Sequence, residues 1–124
     1  MRFTKEHEWA DARDGLVVEG ITDFAQHSLG DVVSLELPKV GKAVKKGESL
    51  AIVDSMKASS DVYAAVGGQV VEVNEALLQN PQWINESPYE KGWLVKLKAD
   101  DAKELETLMD ELQYAEFVKT QEKH

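Results

Sequence analysis

Residues 44–53 and 62–73 are two β-type segments of similar make-up, and they flank a short polar stretch centred on Lys57. The first reads Val44-Lys45-Lys46-Gly47-Glu48-Ser49-Leu50-Ala51-Ile52-Val53. The second reads Val62-Tyr63-Ala64-Ala65-Val66-Gly67-Gly68-Gln69-Val70-Val71-Glu72-Val73. Gly47 stands ten residues before the lysine and Gly67 ten after it. Two such runs folding back on each other form a hairpin with Lys57 at its tip. Their likeness suggests a pseudo-symmetric pair of small sheets, though it is too weak to establish duplication.

The same short-strand texture extends over residues 1–98. Leu16-Val17-Val18-Glu19-Gly20-Ile21 reads as a strand leading into a short helix over residues 23–29. Thr22 is placed to cap that helix, Asp23 complements its dipole and Gly30 ends it. Residues 31–37 form a strand that Pro38 stops. Asn74 is placed to cap the apolar turn Ala76-Leu77-Leu78, which Asn80-Pro81 breaks. Residues 82–92 read as a loop, and residues 93–98 as a closing strand.

From residue 101 the period becomes helical. Asp101 and Glu104 have the spacing of a capping box, and Leu105, Leu108, Met109 and Leu112 form a stripe that slips at Gln113 and resumes at Tyr114, Phe117 and Val118. Two short helices with a bend are expected, their acidic residues forming a solvated face. The layout is one domain over residues 1–124, mainly β to about residue 98, with C-terminal helices at about 101–119.

Which chemistry such a chain can carry is narrowed by what it contains. It has no cysteine, so disulfides, thiolate metal sites and thiol nucleophiles are excluded. Fourteen Lys plus Arg against twenty-three Asp plus Glu give a formal net charge of −9, which disfavours nucleic acid and anionic membranes as partners and suits basic faces of other proteins. No apolar run approaches the roughly 20 residues of a membrane span. Met1-Arg2-Phe3-Thr4-Lys5 runs into folded-type sequence without a presequence pattern. A bacterial-type cytoplasmic protein is the simplest reading, and a processed mitochondrial matrix protein is the alternative.

Catalytic groupings are thin. His7, His27 and His124 do not converge with other ligands at metal-site spacing. Gly67-Gly68 sits within a β segment, where a bend or bulge is the ordinary reading rather than a phosphate cradle. Lys57 differs, because Ser55, Ala58, Ser59 and Ser60 around it are small, as in an exposed turn. Its long stem and acylable amine could bear a carboxylic-acid cofactor on a swinging arm. From composition alone, a plain surface-turn lysine is the simpler account.

Eight ordered segments go further. They are Phe3-Thr4-Lys5-Glu6-His7-Glu8-Trp9, Gly20-Ile21-Thr22-Asp23-Phe24-Ala25-Gln26, Leu29-Gly30-Asp31-Val32-Val33, Glu36-Leu37-Pro38, Ser55-Met56-Lys57-Ala58, Val70-Val71-Glu72-Val73-Asn74, Ser87-Pro88-Tyr89 and Gly92-Trp93-Leu94. With them the chain resembles the H protein family of the glycine cleavage system over roughly residues 3–118.

The resemblance implies a lipoyl/biotinyl-type barrel-sandwich hybrid of two small antiparallel sheets, with lipoate amide-linked to Lys57. It implies a non-catalytic carrier that takes the aminomethyl group of glycine from the pyridoxal-phosphate P protein to the T protein and is reoxidised by the flavin-containing L protein. A carrier that must visit several active sites is most useful as a monomer. It further assigns Glu8 and Asp61 to a cleft for the loaded arm, and Asp54 and Gly68 to recognition by lipoate-attaching enzymes. For Glu8, the plain alternative is a surface residue beside a core Trp9. Asp54, Met56, Ala65 and Gly67 depart from the common family pattern, where Glu, Val, Pro and Ser are usual. Met56 resembles the residue beside the lysine of biotin carriers, but Ala58 on the other side favours lipoate. The alternatives to the glycine cleavage role are an H-like paralogue in another lipoate-dependent pathway and a non-lipoylated interaction module.

Overall fold

The computed structural model of the protein describes residues 1–122. Asp14 and Gly15 both adopt positive φ, at 51° and 79°. They form the two-residue loop between β2 (Glu8–Arg13) and β3 (Leu16–Ile21), which pair with Arg13 opposite Leu16. That turn matches the right-handed twist of the strands it joins. β1 (Arg2–Phe3) adds to the outer edge of β2. On the other side of β3 come β9 (Val95–Ala99), β8 (Gly68–Val73) and β5 (Ala43–Val44), completing a six-stranded sheet. A three-stranded sheet holds β4 (Val32–Glu36), β6 (Ser49–Ser55) and β7 (Ser59–Tyr63). Every pairing is antiparallel.

β3 is buried from Val17 onward, so it covers two cores at once. Val17 and Ile21 face the interior between the sheets, with Ala10, Val53, Val62, Val70 and Leu97. Val18 faces the other way, into a cluster with Phe3, Trp9 and Tyr114. Gly20 lies opposite Trp9 in the register, and a Cβ there would come within 2.7 Å of the indole Nε1. The bare backbone lets the ring lie flat on the sheet while its N–H donates to the Pro88 carbonyl at 3.0 Å.

The helices refine several expectations. α1 (Asp23–Leu29) begins as its sequence predicts, with Thr22 Oγ1 accepting from the Ala25 amide and Gly30 closing the C-terminus at φ 82°. α2 (Ala76–Gln79) starts after Glu75 and takes no side-chain cap. Asn74 instead donates through Nδ2 to the Lys91 and Trp93 carbonyls, tying the preceding strand to the loop before β9. Residues 82–92 are not all loop: α3 (Trp83–Glu86) makes one turn because Ile84 is wholly buried.

α4 (Lys103–Glu106) and α5 (Glu111–Glu122) are the two C-terminal helices. The expected capping box does not close. Asp101 Oδ1 accepts from the Lys103 amide, but the Glu104 carboxylate reaches across to accept from the Gly67 amide at 2.8 Å. Residues 107–110 then reset the helical face. Leu112 is 80% exposed, while Tyr114, Phe117 and Val118 pack on the outer cluster.

Candidate functional site

Lys57 is exposed at the centre of the three-residue loop Met56–Ala58 between β6 and β7, and Ser55 builds that loop. The Ser55 amide donates to the Ala58 carbonyl at 2.8 Å, and Ser55 Oγ accepts from the amides of Lys57 and Ala58. The Met56 amide donates to the Asp31 carbonyl, so the tip is also tied to the start of β4. A β-bulge between Val32 and Ser34 lies at that junction. The lysine stem runs beside Gly30, where a Cβ would stand 3.6 Å from Lys57 Cε.

Asn85 holds this ground in place. Its Oδ1 accepts from the Val32 amide, and its Nδ2 donates to Gln26 Oε1 and to the Gly30 carbonyl. One side chain thus fixes the end of α1 and the beginning of β4 under the lysine. Sequence reasoning assigned Asn85 only to a loop. An Asn between two apolar residues and a Ser-Pro pair carries no signal of a three-bond clamp.

A cleft of about 310 Å³ opens between α1, the turn before β2 and strand β7. Ile21, Phe24, Leu29 and Val62 give it apolar walls, and Glu8 and Asp61 bring carboxylates to it. The two acids expected to act together therefore share one cavity next to the hairpin. Asp61 is exposed and accepts from Ser49 Oγ at 2.9 Å. Glu8 is only 2% exposed, with Oε1 accepting from Thr4 Oγ1 at 2.7 Å and Oε2 from the Tyr63 amide at 2.8 Å. It is no free surface residue. Burial pushes its carboxyl above the usual carboxylate range, against the pull of those two donors. An ammonium entering the cleft would favour the ionised form.

His7 lines the same cleft with a backbone φ of 66°. Its Nδ1 lies 2.8 Å from the Tyr114 hydroxyl, and that hydroxyl lies 2.7 Å from Thr22 Oγ1. Burial lowers the imidazole's affinity for a proton, which favours the neutral ring. A larger hollow of about 520 Å³ shares Glu6 and Glu8 with the cleft and contains no residue of the hairpin tip.

Asp54 lies on β6 near the tip, accepting from Ser59 Oγ at 2.6 Å and from Ser34 Oγ at 3.3 Å. Gly68 is elsewhere. It is buried where β8 meets β9, and a Cβ would fall 2.3 Å from the Lys98 carbonyl oxygen. Its glycine is thus demanded by the sheet itself. His124 lies outside the described residues. Among the described residues no group of three His, Cys, Asp or Glu side chains is placed to hold a metal, and no helix is long and apolar enough to cross a membrane.

An alkyl arm ending in a compact apolar ring suits this ground. Lys57 offers the amine, Gly30 leaves the lane beside it bare, and the cleft walls are apolar. The carboxylates suit a cation carried at the end of such an arm.

A profile of the glycine cleavage H-protein family matches residues 1–121. A glycine cleavage system H protein of Anaeromyxobacter sp. (strain K) is 52% identical over 122 residues, covering 98% of this chain and 95% of that protein. A probable glycine cleavage system H protein of Pyrococcus abyssi is 55% identical over 120 residues, covering 95% and 89%. The crystal structure of a glycine cleavage system H protein from Mycobacterium marinum superposes with a TM-score of 0.80 at 38% identity, covering 96% of this chain and 94% of that one.

Proposed function

Because the chain belongs to the glycine cleavage H-protein family, whose members are lipoyl carriers, we propose that lipoate is joined to it through an amide at Lys57 Nζ. The observation that carries this assignment is the exposed lysine on a bonded hairpin tip, beside a cleft with apolar walls and two acids. The lipoyl group supplies a dithiolane that accepts and releases the aminomethyl group of glycine. The chain's own residues do the rest. Ser55 and the Asp31 carbonyl fix the direction in which the lysine leaves the surface. Glu8 and Asp61 hold the cationic end of a loaded arm by charge-assisted hydrogen bonds, and the apolar walls keep water from it.

In this reading the protein is a non-catalytic carrier subunit of a bacterial-type cytoplasm, acting as a monomer. It visits the P protein for loading, the T protein for unloading and the L protein for reoxidation. Asp54 is the acidic mark that lipoate-attaching enzymes read near the tip. Gly68 contributes through the path it gives the backbone, since no side chain fits at that position.

Co-expression with a lipoate ligase, followed by intact-mass measurement, tests the attachment. The parent should gain one lipoyl group, and Lys57→Arg should keep the fold and gain none. A fully unmodified parent under lipoate-replete conditions would reject the assignment. Glycine–bicarbonate exchange with purified P protein tests the pathway, and its failure with fully lipoylated carrier would reject the glycine cleavage role.

A further inference from the structure

Glu19 is the one acid of the described chain with no exposed surface, and no step above uses it. It sits in the middle of β3, opposite Ala10, while Glu8 sits opposite Ile21. The two glutamates are therefore diagonal neighbours on the inward face of one antiparallel pair. Glu19 Oε1 accepts from the Ala65 amide at 2.9 Å, and Oε2 has no partner. No cation pairs with it among the described residues. A buried carboxyl left half-satisfied is costly, and a hydrophobic residue at an inward strand position would avoid the cost.

What the acid holds is the segment that leaves β7 for β8. Three successive amides there go to three different acceptors. The Tyr63 amide donates to Glu8 Oε2, the Ala64 amide to the Glu48 carbonyl, and the Ala65 amide to Glu19 Oε1. In an extended chain alternate amides point the same way. The amides of Tyr63 and Ala65 thus both address the β2–β3 pair, where the two glutamates stand ready. Displacing Ala65 rotates the peptide units that aim the Tyr63 N–H, and with it the carboxylate that lines the cleft.

We propose that Glu19 is a positioning residue for the loaded arm: by anchoring Ala65 inside the core it fixes the Tyr63 amide that orients Glu8. This rests on the assignment of Glu8 to the arm cleft made above. Burial raises the Glu19 carboxyl well above the usual carboxylate range, which disfavours a second buried charge beside Glu8.

Two substitutions separate anchoring from mere filling of space. Glu19→Gln keeps an oxygen to accept from Ala65, and Glu19→Met fills a similar volume without one. Amide hydrogen exchange in the unlipoylated protein reads the anchor directly. In Glu19→Met, exchange at both Tyr63 and Ala65 should rise by about tenfold, and in Glu19→Gln it should stay within about twofold of the parent. The lipoylated proteins are then loaded with glycine and P protein, and loss of the adduct to water, which frees the thiol, formaldehyde and ammonium, is followed by intact mass. Glu19→Met should shorten the lifetime of the load by about fivefold, with Glu19→Gln restoring it.

Glu8→Gln is the control. A shortened lifetime in Glu8→Gln with an unchanged one in Glu19→Met would overturn the role of Glu19 alone. No effect of Glu8→Gln would overturn the cleft assignment and this inference with it. Should Glu19→Met fail to fold, the parent supplies the reading: loading the arm should move the Ala65 amide resonance together with that of Tyr63. A shift at Tyr63 with none at Ala65 would also reject the coupling.

Discussion

Gly20 and Glu19 are neighbours in β3 with opposite duties. Gly20 faces outward beneath Trp9, and its missing side chain is the space the indole occupies. Gly20→Ala forces the ring or the strand to move, and overpacking of this kind costs about 1–3 kcal/mol. Chemical unfolding should show that loss, and an unchanged midpoint would mean that Trp9 is free to shift. Glu19 faces inward and brings a pH dependence. In the unfolded chain its carboxyl ionises at about 4.3, whereas burial in the fold raises the value well above the usual range. Between those two values the unfolded state binds fewer protons than the folded one. Stability from this group is therefore complete below the unfolded value and is lost as pH rises, at about 1.4 kcal/mol per pH unit, until the folded value is passed. Glu19→Gln removes that slope, so its advantage over the parent should grow as pH rises above the unfolded carboxyl's value. Parallel stability profiles would show that Glu19 is ionised in the fold. At the site, small neighbours marked the exposed turn of Lys57, while its expected role, like those of Glu8 and Asp61, came through the family resemblance. Glu19 was legible in principle, since it shares a strand face with Val17 and Ile21. What no pattern shows is that its acceptor serves Ala65, a contact across 46 positions.

α5 works as a strap over the sheet's outer face, and Tyr114 is its buckle. The ring stacks on Phe3 at 4.5 Å, while the hydroxyl meets both His7 Nδ1 and the oxygen that caps α1. Burial pushes the phenol up to about 12, so it stays a neutral hydrogen-bonding group throughout the working range. Thr22 can serve helix and strap together because one lone pair takes the Ala25 amide while the hydroxyl proton or the other lone pair meets Tyr114. Thr22→Ala removes a helix cap and should cost about 1 kcal/mol, and Tyr114→Phe should cost about 1–2 kcal/mol. Because the two share a bond, the double variant should lose less than their sum by about 0.5–1 kcal/mol in urea unfolding. Strict additivity would show that the hydroxyl contact contributes nothing. The local signals of α1 were complete within the nine residues from Thr22 to Gly30, which explains why its ends were readable. Those of the C-terminus were not. Glu104 had the spacing of a capping box but was drawn to the Gly67 amide, a partner 37 positions away. Leu112 fitted a stripe that the break at residues 107–110 had already turned to solvent.

Across the whole molecule, short strands and a terminal helical segment were readable from residue pattern, but their division between sheets was not. Pairings such as β3 with β9 and β5 with β8 join parts of the chain that share no local signal. The unequal sheets leave the β6–β7 hairpin projecting from the smaller one, with Lys57 at its tip. Net charge bears on how that tip meets other proteins. At −9 the carrier is drawn to basic faces over a distance set by salt, about 10 Å at 0.1 M and about 3 Å at 1 M. Steering of this kind acts on encounter rates and leaves the chemistry of a docked complex alone. Raising ionic strength from about 0.05 M to about 0.5 M should therefore raise the apparent KM of the P protein for the lipoylated carrier several-fold while kcat changes little. A fall in kcat at constant KM would instead point to a salt effect within the docked complex. Location sharpens the expectation. Asp31 is exposed at the foot of the hairpin and Glu116 is exposed on α5. If docking is led by the tip, Asp31→Asn should flatten the salt dependence more than Glu116→Gln, and equal effects would show that the charge acts through the molecule as a whole.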